Sequence, residues 1–436
     1  MVGGSLGGLL AANLLHRAGH DVVVLERATA LLDGRGAGIV THPALLEALR
    51  RAGVETQNRE RAASGADLGI AVQSRVALNA RGEVTARLNL PQVLTSWSRL
   101  YAMLKAALPA ERYLTGIDVE AVTQTASGAV VHAAGQTFDA SLVIASDGLR
   151  STLRRQFAPN ALPLYAGYVA WRGVCDESAL SGLTLSTLFD HFGFGLPDGE
   201  QIIGYPVTGA NNQSSRGQRR YNFVWYRPAH SDAALATLLT DADGVHYPQG
   251  IPPHKIDPRH IRSMRNAAKE WLAPQFAEIT EKTAQPFLQP IFDVSSPRIA
   301  FGRVALMGDA SFVARPHVGM GVTKAAKDAM ALVECINTAG ATSGALARYE
   351  ALRLAPGNAV VNRGRALGRY LQTYNPAHSL ATARDIQQVL RDTAVDPEDS
   401  ANVDVNELAA QGAKLAFNPI PSQSSYSIAK FLSIDS

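Results

Sequence analysis

The chain has 436 residues, 46% of them hydrophobic and 18% charged, and its 41 basic against 38 acidic side chains leave a net charge of +3. That length builds more than one core, so small a charge excess gives no basic footprint for nucleic acid, and no apolar run reaches membrane-spanning length. Two cysteines, Cys175 and Cys335, are too few and too far apart for a disulfide framework or a metal knuckle, and both read as reduced core residues of a cytoplasmic protein.

The first predicted element is a glycine-dense turn, V-G-G-S-L-G-G-L from Val2 to Leu9. Gly3 permits a sharp exit from a strand, Gly8 lets a helix pack close to the sheet, and N–H groups at the helix start can face a pyrophosphate. Ser5 stands where the dinucleotide fingerprint has its second glycine, and it is small enough to leave room for phosphate. Leu6, Leu9, Leu10, Leu14 and Leu15 recur at helical spacing, and Gly19 supplies a stop. The run V-V-V-L-E-R then ends at Glu26 and Arg27, with Glu26 about 20 residues on, where an acid accepts bonds from a ribose diol. This is the opening of a dinucleotide-binding βαβ unit; an ordinary glycine-rich βα turn is the alternative. Only Met1 and Val2 precede Gly3, against about five residues in a usual strand. A start upstream of Met1 is expected, or else a shortened central strand.

G-R-G-A-G-I-V-T-H-P follows from Gly34 to Pro43. Gly36 and Gly38, with Ile39, suit close approach of backbone to a flat ligand such as an isoalloxazine edge; a flexible connector is the bland reading. His42 precedes an amphipathic helix and titrates in a useful range. Residues 67–94 turn to alternating patterns, with a hairpin about Asn79 to Gly82 in a second sheet. A helix is predicted from Ser96 to Leu108, carrying Arg99 where a guanidinium can clamp an anion or simply be solvated. Val119 to Val131 and Ala140 to Ile144 read as strands. L-V-I-A-S-D-G-L-R-S-T-L-R then runs a buried strand into Asp147 and Gly148 and opens a helix, as a ligand at the mouth of a parallel sheet requires.

From Tyr165 to about Pro286, aromatic short strands replace leucine-rich helices and predict a mixed or antiparallel sheet. Aromatics on a sheet face are most often core, yet Tyr168, Trp171, Arg172, His191 and Tyr205 would also line a pocket for a flat polar ring. Asp257 to Phe276 reads as a helix. A third segment, R-V-A-L-M-G-D-A-S-F-V-A-R-P-H-V-G-M-G-V, ends a buried strand on Gly308 and Asp309. Its Gly319, Met320, Gly321 and Val322 open a long helix whose positive end can stabilise charge on a flavin.

These three motifs, in this order over Val2 to Leu367, resemble the single-component FAD-dependent aromatic hydroxylases, the group A flavoprotein monooxygenases, and most of all their branch acting on hydroxylated N-heterocycles. The resemblance implies an α/β architecture: a Rossmann-like FAD-binding domain, an inserted mixed/antiparallel-sheet substrate domain and a helical C-terminal segment. The FAD-binding parts are 1–66, 95–160 and 287–340; the substrate domain is 161–286 with the hairpin 67–94; the C-terminal segment is 341–436. It implies further that Ser5, Leu6, Glu26, Arg27, Arg99 and Asp309 hold FAD, and that Asp147 and Gly148 serve both FAD and NAD(P)H. Phe312, Met320 and Thr323 depart from the frequent family residues, which leaves the substrate pocket and flavin tuning open.

The implied reaction is reduction of FAD by NADH or NADPH, addition of O2 to give a flavin C4a-hydroperoxide, and hydroxylation of a small hydroxylated aromatic or N-heteroaromatic, pyridine-type ring. Activating such a ring calls for a base or proton relay within hydrogen-bond reach, for which His42, His191 and Tyr205 are the candidates. An FAD-dependent oxidase or dehydrogenase without oxygen insertion, or a non-catalytic descendant of the fold, are the other readings. The tail from Tyr374 holds a helical piece at Thr382 to Asp392 and a Pro/Ser-rich stretch; it packs on the body, mediates a homodimer contact or is partly disordered.

Overall fold

The computed structural model describes residues 1–29, 38–54, 68–373 and 385–397. Among these the strands are β1 Val24–Glu26, β2 Gly38–Val40, β3 Ile70–Leu78, β4 Val84–Ser96, β5 Tyr113–Thr115, β6 Ala121–Gln124, β7 Ala129–Ala133 and β8 Gln136–Ala140. They continue with β9 Val143–Ala145, β10 Leu164–Asp176, β11 His191–Gly195, β12 Gln201–Val207, β13 Arg220–Pro228, β14 Phe287–Asp293, β15 Ala300–Phe301 and β16 Val304–Leu306.

Short, wholly buried apolar runs make the first sheet. β1, β9 and β16 bury every residue, as strands covered on both faces must. β5 pairs parallel with β1, and β16 with β9. Val2 joins the two pairs through parallel bridges to Leu25 and Ala145, so the central strand is present as a single bridged residue. The apolar helix Leu6–Arg17 follows from it and packs against the helix Gly321–Ala339.

The alternating segments build the second sheet, in the order β14-β10-β13-β12-β11-β3-β4-β2, antiparallel except where β11 runs parallel to β3. The period of two sorts its side chains between two cores. Trp171, Phe223, Trp225 and Ile202 face the helices Pro258–Trp271 and Pro274–Lys282. Tyr168, Phe192, Phe194, Tyr205 and Tyr226 belong to the other face, which the helix Ile386–Asp392 covers in part.

Three expected elements differ. The helix of Asp257 to Phe276 breaks after Trp271, because Pro274 lacks the N–H a continuing helix needs and starts a new one. Val119 to Val131 is two strands, β6 and β7, which with β8 form a separate antiparallel sheet. Ala140 therefore closes β8, and the buried strand into Asp147 begins at Val143. Gly36 and most of the tail lie outside the described residues. Among the described residues no helix is long and apolar enough to cross a membrane.

Candidate active site

Two clefts open at the carboxyl ends of the parallel strands. The first, of about 240 Å³, lies at the glycine turn and is lined by Gly3, Ser5, Glu26, Arg27, Asp147 and Gly148 among others. Gly3 has φ of 94°, and a Cβ there would lie 2.6 Å from the Ser146 carbonyl oxygen. At Gly8 a Cβ would fall 2.0 Å from the Gly3 carbonyl oxygen, so the helix enters this close to the strand only with glycine. The buried Glu26 carboxylate accepts from Gly4 N at 2.8 Å and Ala28 N at 2.9 Å, fixing the turn against the end of β1. Asp147 Oδ2 accepts from Thr152 N at 2.8 Å, at the start of the helix Thr152–Phe157 that Ser151 caps, while its Oδ1 is buried with no hydrogen-bond partner. An orphaned acceptor facing a backbone cradle suits a hydroxyl-rich dinucleotide, so these residues fit FAD.

The second cleft, of about 260 Å³, separates the Tyr-rich sheet face from the turn between β16 and the Gly321–Ala339 helix. Asp309, Gly319, Gly321 and Val322 form one wall; Gly38, Ile39, Arg172, Tyr205 and Tyr226 form part of the other. Asp309 leaves about half its side chain open, and the open side is this cleft. Burial raises its pKa, Lys324 opposes that shift, and Asp328 adds to it. Lys324 is fully buried, with Nζ 4.0 Å from Asp309 Oδ1 and 3.8 Å from Asp328 Oδ2. Opposite, Arg172 Nη1 donates to Gln289 Oε1 at 2.7 Å, and its Nε is buried with no partner. The buried Tyr226 hydroxyl also lacks a partner. Burial pushes the Tyr205 phenol up to about 12 and raises that of Tyr226 further, so both are hydrogen-bond donors at neutral pH.

Comparison with known proteins decides the family. Residues 1–172 match the FAD binding domain family, and residues 165–293 an FAD binding domain-like family. The 2,6-dihydroxypyridine 3-monooxygenase of Paenarthrobacter nicotinovorans is 31% identical over 373 residues, 85% of this chain and 91% of that protein. The structure of 2,6-dihydroxypyridine-3-hydroxylase from Arthrobacter nicotinovorans superposes with a TM-score of 0.78 at 30% identity, covering 87% of this chain and 94% of that one. The chain belongs to the FAD-dependent aromatic monooxygenases. The 6-hydroxynicotinate 3-monooxygenase of Pseudomonas fluorescens is 28% identical over 81% of this chain and 86% of its own. Klebsiella pneumoniae HpxO, complexed with FAD and uric acid, shares the fold at a TM-score of 0.70 and 21% identity, covering 94% of this chain and 95% of that one.

The monooxygenase fold brings the three glycine-acid motifs together but disperses the expected bases. His42 lines neither cleft: it is buried, with Nδ1 2.8 Å from Thr323 Oγ1 and Nε2 3.4 Å from the Ala394 carbonyl, and burial holds its pKa at about 4. His191 alternates with the cleft residue Phe192 and so faces the other side of the sheet, beside Ser74 and Arg87. Trp171 is likewise on the far face, in the core with Trp225 and Phe276, because it alternates with Arg172. Tyr168 is on the near face but behind the cleft wall, its hydroxyl 3.0 Å from His317 Nε2. Arg99 does not line the first cleft; its Nη1 donates to the Asn212 carbonyl at 3.2 Å. Leu6 is buried at the start of its helix, and Gly308 has φ of 62° in the turn that presents Asp309. Met320 is the buried N-cap of the Gly321–Ala339 helix.

Two residues escaped the sequence reading. Tyr226 sits in Y-N-F-V-W-Y, and strand alternation counted back from Tyr205 across β12 and β13 would have put it on the same face. Ala394 lines the ring cleft from the tail. Its segment is fastened by Arg75, which donates to the carbonyls of Leu390, Thr393 and Ala394, and by a Lys327–Asp396 ion pair of 2.6 Å. The described part of the tail thus packs on the body.

Proposed function

We propose that this monooxygenase hydroxylates a small aromatic or N-heteroaromatic ring that already carries a hydroxyl, of the pyridine type on which its relatives' names place them. The observation that carries the reading is the ring cleft itself, where buried donors on an aromatic sheet face stand opposite Asp309 and the glycine turn. Bound FAD supplies reduction by NADH or NADPH and the activation of O2. The chain's own residues bind, orient and exclude water. Gly3, Ser5, Leu6, Gly8, Glu26 and Arg27 would hold the adenosine and pyrophosphate end, with Asp147 and Gly148 beside them. Gly38, Ile39, Gly308, Asp309, Gly319, Met320, Gly321 and Val322 would hold the ribityl and ring end, the helix start there favouring negative charge. Tyr205 lines the ring site as an anchor rather than a base.

The reading includes the division into FAD-binding parts 1–66, 95–160 and 287–340 and a substrate domain at 161–286 with the hairpin 67–94; β2 and β14, which fall within the FAD-binding parts, nevertheless pair in the eight-stranded sheet. It also places the enzyme in the cytoplasm, consistent with two buried free thiols, Cys175 and Cys335. The test is steady-state oxidation of NADH and NADPH by the FAD-loaded protein with a panel of hydroxypyridines, hydroxynicotinates and phenols. A hydroxylated product formed in step with reductant consumption supports the reading, and a ring recovered unchanged across the panel rejects it.

A further inference from the structure

We propose that Lys324 is a positioning residue for the cofactor: its buried ammonium keeps the Asp309 carboxylate ionised, and so able to accept hydroxyl hydrogen bonds from the ribityl chain, when FAD covers the cleft. The inference rests on the assignment of Asp309 to the FAD site and adds the residue that fixes its charge.

Lys324 stands where a lysine is disfavoured. It occupies the opening turn of the helix Gly321–Ala339, where the helix dipole opposes a cation, and its side chain has no exposed surface. Nζ is buried without a hydrogen-bond partner, and its neighbours are two carboxylates, Asp328 Oδ2 at 3.8 Å and Asp309 Oδ1 at 4.0 Å. An ammonium buried with so little bonding lowers stability unless its charge answers another.

Asp328 does not need that charge. Its Oδ1 is 2.8 Å from Arg353 Nε, and its Oδ2 accepts from Gly308 N at 3.2 Å. Tyr349 faces it from the helix Ser343–Thr373, where burial first and Asp328 next hold the phenol neutral, well above its ordinary range. Asp309, by contrast, has no ion pair other than that with Lys324 among the described residues. Arg154 acts on it from the helix Thr152–Phe157, but that guanidinium is bonded to the carbonyls of Leu149, Ala161, Asp309 and Ala310 and not to the carboxylate. Across the cleft, Arg315 is paired with Asp293 and Arg172 with Gln289. The charges therefore sort as Arg353 with Asp328 and Lys324 with Asp309.

The Asp309 side chain is 53% exposed, and its open side is the cleft, so a ligand seated there strips water from it. Burial already raises its pKa, Lys324 and Arg154 oppose that shift, and Asp328 adds to it. A carboxyl sealed from water with no cation beside it takes up a proton, and one of its oxygens then becomes a donor. Lys324 prevents this from behind and leaves the open side of Asp309 to the cofactor.

The experiment is dilution of the FAD-loaded enzyme in the absence of substrate, with FAD release read from the recovery of flavin fluorescence across about pH 5 to 9. It compares the parent with K324M, D309N and the double variant K324M/D309N; circular dichroism verifies the fold of each. Near the acid end K324M should hold FAD about 10- to 100-fold less tightly than the parent. Removing the cation moves the protonation of Asp309 to higher pH, so this deficit should shrink as pH rises and Asp309 ionises unaided. K324Q, a second uncharged side chain, should behave as K324M does. D309N should be weak without that pH dependence, and K324M on top of it should cost less than about 3-fold. Infrared difference spectra of FAD-loaded K324M at the acid end should show a protonated carboxyl band that the double variant lacks. A K324M deficit that is absent, that is the same at every pH, or that persists in full in the D309N background overturns the role of Lys324 and leaves Asp309 in the FAD site. FAD held by D309N as tightly as by the parent overturns both.

Discussion

Asp293 is the residue whose loss should cost the ring cleft most, and the geometry sets the amount. It ends β14 with no exposed surface, and its two carboxylate oxygens serve two cations. Oδ2 accepts from Arg315 Nε at 2.8 Å, and Oδ1 from Arg365 Nη2 at 2.6 Å and Nε at 3.0 Å. Arg315 is only 6% exposed in its side chain, whereas Arg365 is 35% exposed and can turn to water. Asp293→Asn keeps the shape but leaves the buried Arg315 charge uncompensated, which costs about 3–5 kcal/mol, with Arg365 adding at most about 1 kcal/mol. Arg315 opens the Pro316–Val318 turn that leads to Gly319, so the same change loosens one wall of the cleft. Urea unfolding of the FAD-loaded enzyme should show the midpoint lowered by about 1 M or more. Asp293→Asn combined with Arg315→Met should recover part of the loss, because no buried charge is then stranded. A single variant within about 1 kcal/mol of the parent would refute the claim that this carboxylate neutralises a buried guanidinium.

Gly3→Ala forces a side chain into a backbone with φ of 94° and against the Ser146 carbonyl; FAD affinity measured by fluorescence quenching should fall at least about 10-fold, and unchanged affinity would mean the first cleft is not the dinucleotide site. Burial lowers the His42 pKa from 6.5 to about 4. The unfolded chain thus takes up a proton that the folded one refuses, and stability should drop by about 3 kcal/mol as pH falls through that window. In His42→Gln the total loss of stability as pH falls from 6.5 to about 4 should be smaller by that amount, as read from denaturation midpoints. Ala394→Leu adds bulk where the tail meets Gly319 and the ring cleft; KM for the ring should rise about 10-fold with flavin content unchanged, and an unaltered KM would remove Ala394 from the cleft wall.

The cofactor side of this enzyme was legible because its constraints are local. Gly3, Asp147 and Asp309 each follow a strand end and lead into a helical turn, Gly8 lies in the first turn of the helix Leu6–Arg17 and Glu26 ends β1, and a few adjacent residues suffice to write each of these. The substrate side was legible only in part, since which face a strand residue occupies depends on register. Arg172 and Trp171 are neighbours in sequence and lie on opposite faces of the sheet, and nothing local says which of the two meets the ligand. His42 and His191 attracted attention as chemistry-bearing residues, but burial against Thr323 in one and the wrong face of β11 in the other remove them from the cleft. The tail was illegible for a different reason. Its docking depends on Arg75, more than three hundred residues away in sequence, and a buried arginine in a strand has no local signature.

The central claim, that a ring bound between the Tyr-rich sheet and the Asp309 turn receives an oxygen atom from O2, is tested most directly by isotope labelling. The FAD-loaded enzyme is supplied with NADH or NADPH, 2,6-dihydroxypyridine and ¹⁸O-labelled O2, and the product is read by mass spectrometry. The account predicts one labelled oxygen per hydroxylated ring, with reductant consumed in equal amount. Oxidised ring carrying no label, or hydrogen peroxide as the sole product while the ring is bound, would contradict it.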